Sequence, residues 1–194
     1  MTSRTKTLAG MAIFIALVVV LQLFASFVKL GPFSITLALA PIVVGSAVYG
    51  RLSGAVLGGA FGVVVLIMCI NGIDPGGYML WSANPALTAA IVLSKGIFAG
   101  LASGFIYSLL SKKNIYSGVV CAAIICPIVN TGILIAALVL FYYEILSEWA
   151  GGTDIVYFLF ISMTGLNFLL EASVNIALCP AILRIIKASK SVMN

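Results

Sequence analysis

Residues 52–70 read LSGAVLGGAFGVVVLIMCI, running from Leu52 to Ile70 without one charged side chain. A helix of that length rises about 28 Å, close to the roughly 30 Å of hydrocarbon in a bilayer. Similar runs lie on both sides of it. Leu8–Val28 and Phe33–Tyr49 precede it, parted from each other by Lys29, Gly31 and Pro32 and from Leu52 by Gly50-Arg51. Leu87–Leu110, Ile115–Tyr143 and Ile155–Ile186 follow. Of 194 residues 63% are apolar and 8% charged, with a mean hydropathy of +1.26, whereas a soluble domain carries roughly a quarter charged residues. That excess excludes a water-soluble fold. The sequence predicts an all-α membrane protein, a bundle of six transmembrane helices over 8–28, 33–49, 52–70, 87–110, 115–143 and 155–186 in one domain, 1–194.

Charge placement predicts the orientation. If the chain starts in the cytoplasm, Arg4, Lys6, Arg51, Lys112, Lys113, Arg184, Lys187 and Lys190 fall inside. Lys29 falls outside with Asp74, Glu144, Glu148 and Asp154. Lys and Arg collect on the cytoplasmic side of membrane proteins, so both termini are expected there, in a multi-pass protein of a prokaryotic cell membrane. The net charge of +5 then reports topology. Nucleic-acid binding would need a clustered exposed basic patch, and no nucleic-acid partner is expected. Leu8–Val28 is longer than a signal-peptide core and Ala25-Ser26-Phe27 is a poor cleavage site, so it is expected to stay as a helix.

Cys69, Cys121, Cys126 and Cys179 sit in apolar runs without a C-x-x-C pair and read as small buried hydrophobes. The absence of histidine removes the commonest metal ligand and general base. No catalytic residue, metal or cofactor is expected.

Ionisable groups at membrane depth are costly and mark sites facing a protein interior or a wet cavity. Lys95 and Glu171 are two such groups, of opposite sign, several turns from their helix ends. Either they contact each other, or each meets a ligand group. Asn167, Glu171 and Asn175 recur every fourth residue and form one stripe, which Thr164 extends by a turn. Asn130-Thr131 follows Pro127, which breaks the backbone ladder of its run. Asn84-Pro85 opens the fourth run, which also carries Thr88 and Ser94. These groups could equally be interhelical ties. The intramembrane charges favour a substrate site built from Lys95, Asn130, Asn167, Glu171 and Asn175, with Asn84 and Trp81 at its mouth. The gap Asn71–Ala86 reads as a long loop with turn signals at Asp74-Pro75-Gly76-Gly77. Its Tyr78 and Trp81 fit either a lid or an interfacial anchor.

Small residues recur at four-residue spacing: Gly50, Gly54, Gly58 and Gly62, then Gly96, Gly100 and Gly104, and Ala12 with Ala16 in the first run. That spacing lets helices approach closely, and the glycines are expected to pack within the bundle.

Taken with length and topology, Ala12-Ile-Phe-Ile-Ala16, Pro41-Ile-Val-Val-Gly45 and Tyr49-Gly-Arg-Leu-Ser-Gly54-Ala55 resemble the substrate-binding membrane (S) components of energy-coupling factor (ECF) transporters. The resemblance covers essentially the whole chain. It implies capture of a vitamin or related micronutrient near the outer side, by the fourth to sixth helices and the loops joining helices 1–2 and 3–4. It also implies docking of the Ala12/Ala16 face on a transmembrane coupling (T) subunit, with two ABC-type ATPase subunits driving import. The lack of a phosphate-binding G-x-x-x-x-G-K-[ST] loop agrees with ATPases on separate chains. Two rivals remain. An intramembrane enzyme would have only Lys95, Glu171 and Cys126 to work with. A self-sufficient secondary transporter or channel often shows internal repeats, and none relates residues 1–97 to 98–194.

Overall fold

Long apolar runs between capping residues become long helices. The computed structural model describes residues 3–27, 29–30, 33–34, 36–163 and 165–193, with side chains over 5–27, 33–34, 36–161, 165 and 168–186. In chain order come α1 (Ser3–Ala25), strands β1 (Lys29–Leu30) and β2 (Phe33–Ser34), α2 (Leu39–Tyr49) and α3 (Arg51–Ile70). Next are α4 (Pro75–Ala83), α5 (Pro85–Leu110), α6 (Ile115–Phe141), α7 (Tyr143–Ala150) and α8 (Ile155–Tyr157). A π-helical stretch, Phe158–Met163, precedes α9 (Gly165–Met193). Among the described residues five helices are long and apolar enough to cross a membrane, those containing Thr5–Ala25, Arg51–Ile70, Pro85–Leu110, Ile115–Phe141 and Phe168–Ile186. The protein is an all-α membrane protein apart from one two-stranded hairpin, in which Lys29 pairs with Ser34 and Leu30 with Phe33.

The run expected to span over 33–49 is the clearest departure. Its helix begins only at Leu39, and its 11 residues rise about 17 Å, roughly half of a bilayer core. Pro41 stands in the first turn of α2, where a missing N–H costs no helical bond. Everything from Leu39 to Ala47 is buried, so α2 runs through the middle of the bundle. Gly50, at φ 95°, makes the single-residue corner into α3, a backbone conformation that other residues rarely adopt.

The 71–86 segment is another departure: it is mostly helix. Asp74 caps α4 by accepting the Gly77 N–H at 3.2 Å, and Pro75 begins the helix. Asn84 alone separates α4 from α5, and its side chain accepts the Leu87 N–H at 3.1 Å. Residues 144–154, expected as an acidic gap, are mostly α7. Its preceding residue Tyr142 places its hydroxyl 2.7 Å from Thr88 Oγ1 and 3.2 Å from the Asn84 carbonyl oxygen. The last run is broken by the π stretch, and α9 continues to Met193, beyond the expected 186.

The glycine ladder joins α3 to α5. Gly54 meets Gly100 and Gly58 meets Gly96, while Gly62 rests on Val92 and Leu93. The pairing is antiparallel, and no side chain stands between the two backbones. Around this seam a core including Val18, Ile42, Leu57, Phe61, Ala99 and Cys126 runs along the bundle from Cys69 to Tyr107 and Ile186. Leu80, Ile91, Leu138, Leu146 and Leu159 form a smaller cluster.

Candidate functional site

Because α2 starts late, the Ser34 and Thr36 amides ahead of it lie outside any helix and need other acceptors. Carboxylates supply them. Glu171 Oε1, on α9, accepts the Thr36 N–H at 3.1 Å. Asp74 Oδ1 accepts the Ser34 N–H at 2.8 Å and its hydroxyl at 3.0 Å. Since Asp74 also caps α4, one carboxylate fastens the hairpin to that helix.

Under this fastened segment lies a cavity of about 50 Å³. Polar groups reach it from six directions: Gln22 on α1, Ser34 and Thr36 ahead of α2, Asp74 at the start of α4, Lys95 on α5, Asn130 and Thr131 on α6, and Glu171 on α9. Val65, Met68, Phe33 and Leu134 supply its apolar wall. Gln22, Lys95, Asn130 and Glu171 are each at most 8% exposed. Three of their acceptor atoms, Gln22 Oε1, Asn130 Oδ1 and Glu171 Oε2, are buried without a hydrogen-bond partner among the described residues. Unpaired buried acceptors are rare and call for a ligand or water. Lys95 Nζ lies 5.9 Å from the Phe61 ring centroid. It forms no ion pair among the described residues.

The structure therefore brings together Lys95, Asn130 and Glu171 of the residues chosen from sequence. It places others elsewhere. Asn175 ties two helices, its Nδ2 donating to the Ala123 carbonyl of α6 at 3.2 Å. Asn84 is exposed and serves as the α5 cap. Trp81 is half-buried and packs on the core. Asn167 belongs to α9, but its side chain lies outside the described residues, as does Thr164. Gln22, Ser34, Thr36 and Asp74 were missed. The signal for Gln22 was available, since it is an amide inside the apolar run Leu8–Val28.

Ligand pockets hold roughly 300 Å³ or more, so the 50 Å³ cavity admits a ligand of ordinary size only if its lining parts. Ser34 and Thr36, held by Asp74 and Glu171, stand at its wall. Asp74→Ala removes the acceptor for Ser34 N, Ser34 Oγ and Gly77 N together. Amide exchange at Ser34 and Gly77 is expected to quicken about 10- to 100-fold, the cost of a lost buried hydrogen bond. Unchanged protection would show that the hairpin is held by something else.

Among the described residues no group of three or more His, Cys, Asp or Glu could hold a metal ion. The cavity offers one cation, Lys95, two carboxylates, Asp74 and Glu171, and the amide groups of Gln22 and Asn130.

The chain is similar to the pantothenic acid transporter PanT of Lactococcus lactis subsp. cremoris (strain MG1363), 26% identical over 191 residues that cover 93% of each protein. The family model "ECF transporter, substrate-specific component" matches residues 6–183. Matched over nearly its whole length, the chain belongs to the family of substrate-specific components of ECF transporters.

Proposed function

We propose that this chain captures pantothenate, or a closely related hydroxylated carboxylate, on the outer side of a prokaryotic cell membrane. It delivers that substrate to the cytoplasm together with a T component and two ATPases. The observation that carries the reading is the convergence of Lys95, Asn130, Glu171 and Gln22 on one buried cavity. The similarity to a pantothenic acid transporter supports the substrate class. In this reading α2 and its extended lead-in count as a crossing, which makes six in a single domain over 1–194. Both termini are then cytoplasmic, and the cavity lies in the outer half.

Ala12 and Ala16 are exposed on α1, flanked by exposed Leu8, Ile13 and Leu17. No part of the chain covers them among the described residues, which fits a face for the T component. Two measurements test the proposal. Purified chain alone should bind labelled pantothenate, and uptake should require the ATPases. Ala16→Trp should leave melting temperature and binding intact while abolishing co-purification with the ATPase module. Pantothenate uptake into liposomes by this chain alone, without ATP, would establish a self-sufficient transporter instead.

A further inference from the structure

Resting on that substrate reading, we infer that the cavity fixes the direction in which the ligand lies: its carboxylate on Lys95, its hydroxyl and amide donors on Gln22, Asn130 and Glu171. The Asp74 carboxylate stands at the same end as Lys95, but both its oxygens already accept from Ser34 and Gly77, and the polar groups left free for a ligand are not mixed along the walls. Beside the main cavity is a smaller one of about 20 Å³, and Lys95 borders both, as do Phe33, Val65, Asp74 and Leu134. Gln22, Asn130 and Glu171 border the main cavity only. The cation thus stands at the junction, toward α3, α4 and α5, and the acceptors gather on the side of α1, α6 and α9.

The chemistry at the two ends is complementary to one kind of molecule. Lys95 is a buried cation without an ion pair among the described residues, and an anionic group lowers its cost. The three unpaired oxygens, Gln22 Oε1, Asn130 Oδ1 and Glu171 Oε2, accept hydrogen bonds and offer none. Glu171 in addition repels an anion. A dicarboxylate would satisfy Lys95 and meet repulsion at the other end. A molecule with a carboxylate at one end and hydroxyl and amide donors toward the other satisfies both. Pantothenate has that form: a terminal carboxylate, an amide N–H, two hydroxyls, and a dimethyl-substituted carbon between the hydroxyls for the apolar wall of Val65, Met68 and Leu134.

Pantothenol, in which a CH2OH group replaces the carboxylate, separates the two ends. Wild-type protein should bind pantothenate about 10- to 100-fold more tightly than pantothenol, as expected for a hydrogen bond to a charged group. Lys95→Met should bind the two with equal affinity, near that of wild type for pantothenol, and Lys95→Arg should restore the preference. Gln22→Leu removes one unpaired oxygen at similar volume and should fold at least as well as wild type. It should weaken both ligands by the same factor, about 5- to 10-fold. Undiminished preference in folded Lys95→Met, or a Gln22→Leu loss confined to pantothenate, overturns the orientation while leaving pantothenate as substrate. Wild-type protein that binds neither compound overturns the substrate reading, and the orientation with it.

Discussion

Gly96→Ala is expected to lower the melting temperature of the purified chain by about 6–12 °C, the equivalent of about 3 kcal/mol in a protein of this size. The new methyl group would fall on the carbonyl oxygen of Gly58, and the reciprocal change at Gly58 would fall on the carbonyl oxygen of Gly96. Neither oxygen can rotate away, because each belongs to a helical backbone whose position is fixed by its own hydrogen bonds. The helices must separate, and every contact along α3 and α5 weakens together. Two alanine substitutions serve as controls. At Gly59 a Cβ would meet Ile97 at an ordinary 3.5 Å, and at Gly132 it would meet nothing within 4 Å. Both should be neutral or slightly stabilising, since alanine is the better helix former. Equal losses at all three positions would show that the seam has no special place in stability.

Glu171→Gln should leave the fold nearly unchanged and weaken pantothenate binding by about 10- to 100-fold. A glutamine oxygen can still accept the Thr36 N–H that Glu171 Oε1 holds at 3.1 Å. The other oxygen becomes an NH2 group, which faces the ligand's donors with a donor of its own. Glu171→Leu removes both functions, abolishes binding and leaves the Thr36 amide unpaired, costing about 1–3 kcal/mol in stability. Calorimetric binding and thermal unfolding on both variants separate the effects. A Glu171→Gln protein that unfolds as readily as Glu171→Leu would make Glu171 a structural tie and no more.

Hydropathy made the long helices legible because it measures the preference of a segment for lipid, and in lipid a lone segment satisfies its backbone as a helix. The same measure was blind just before Leu39, where Ser34 and Thr36 are freed from helical bonding by acceptors far along the chain, Asp74 and Glu171. Asp74-Pro75-Gly76-Gly77 signals a turn by composition. Here it is a helix start, with the cap, the first-turn proline and two glycines in sequence. Gly77 is needed there because Cys69 Sγ occupies the space of its side chain, a tertiary fact. Lys95 and Glu171 were legible as interior-facing residues of one cavity because their charge needs a reason at that depth. Asn175 obeys the same periodicity as Glu171 yet ties α9 to α6, since a stripe names a face and the neighbouring helix decides what that face meets.

The repeat that lets α3 and α5 touch has a cost in information. Gly54, Gly58 and Gly62 oppose Gly100, Gly96 and the Val92–Leu93 step. If α5 slid by one turn, Gly54 would oppose Gly104, Gly58 would oppose Gly100 and Gly62 would oppose Gly96, three glycine pairs where the observed register has two. The seam therefore sets how near the helices come but is degenerate in their relative height, like a ratchet with equal teeth. The true notch must be chosen elsewhere. Phe61, wholly buried between two teeth and in contact range of a side chain at Gly96, is one pawl. The Ser46 and Ser103 hydroxyls, 3.4 Å apart, are another, and the Asp74-capped α4, joined to α5 through Asn84 alone, is a third. One tooth of slip would carry Lys95 about 5–6 Å along the α3 surface, the difference between a cation at the cavity wall and one beyond it. The vertical position of the binding charge is thus held by the short pieces outside the long helices.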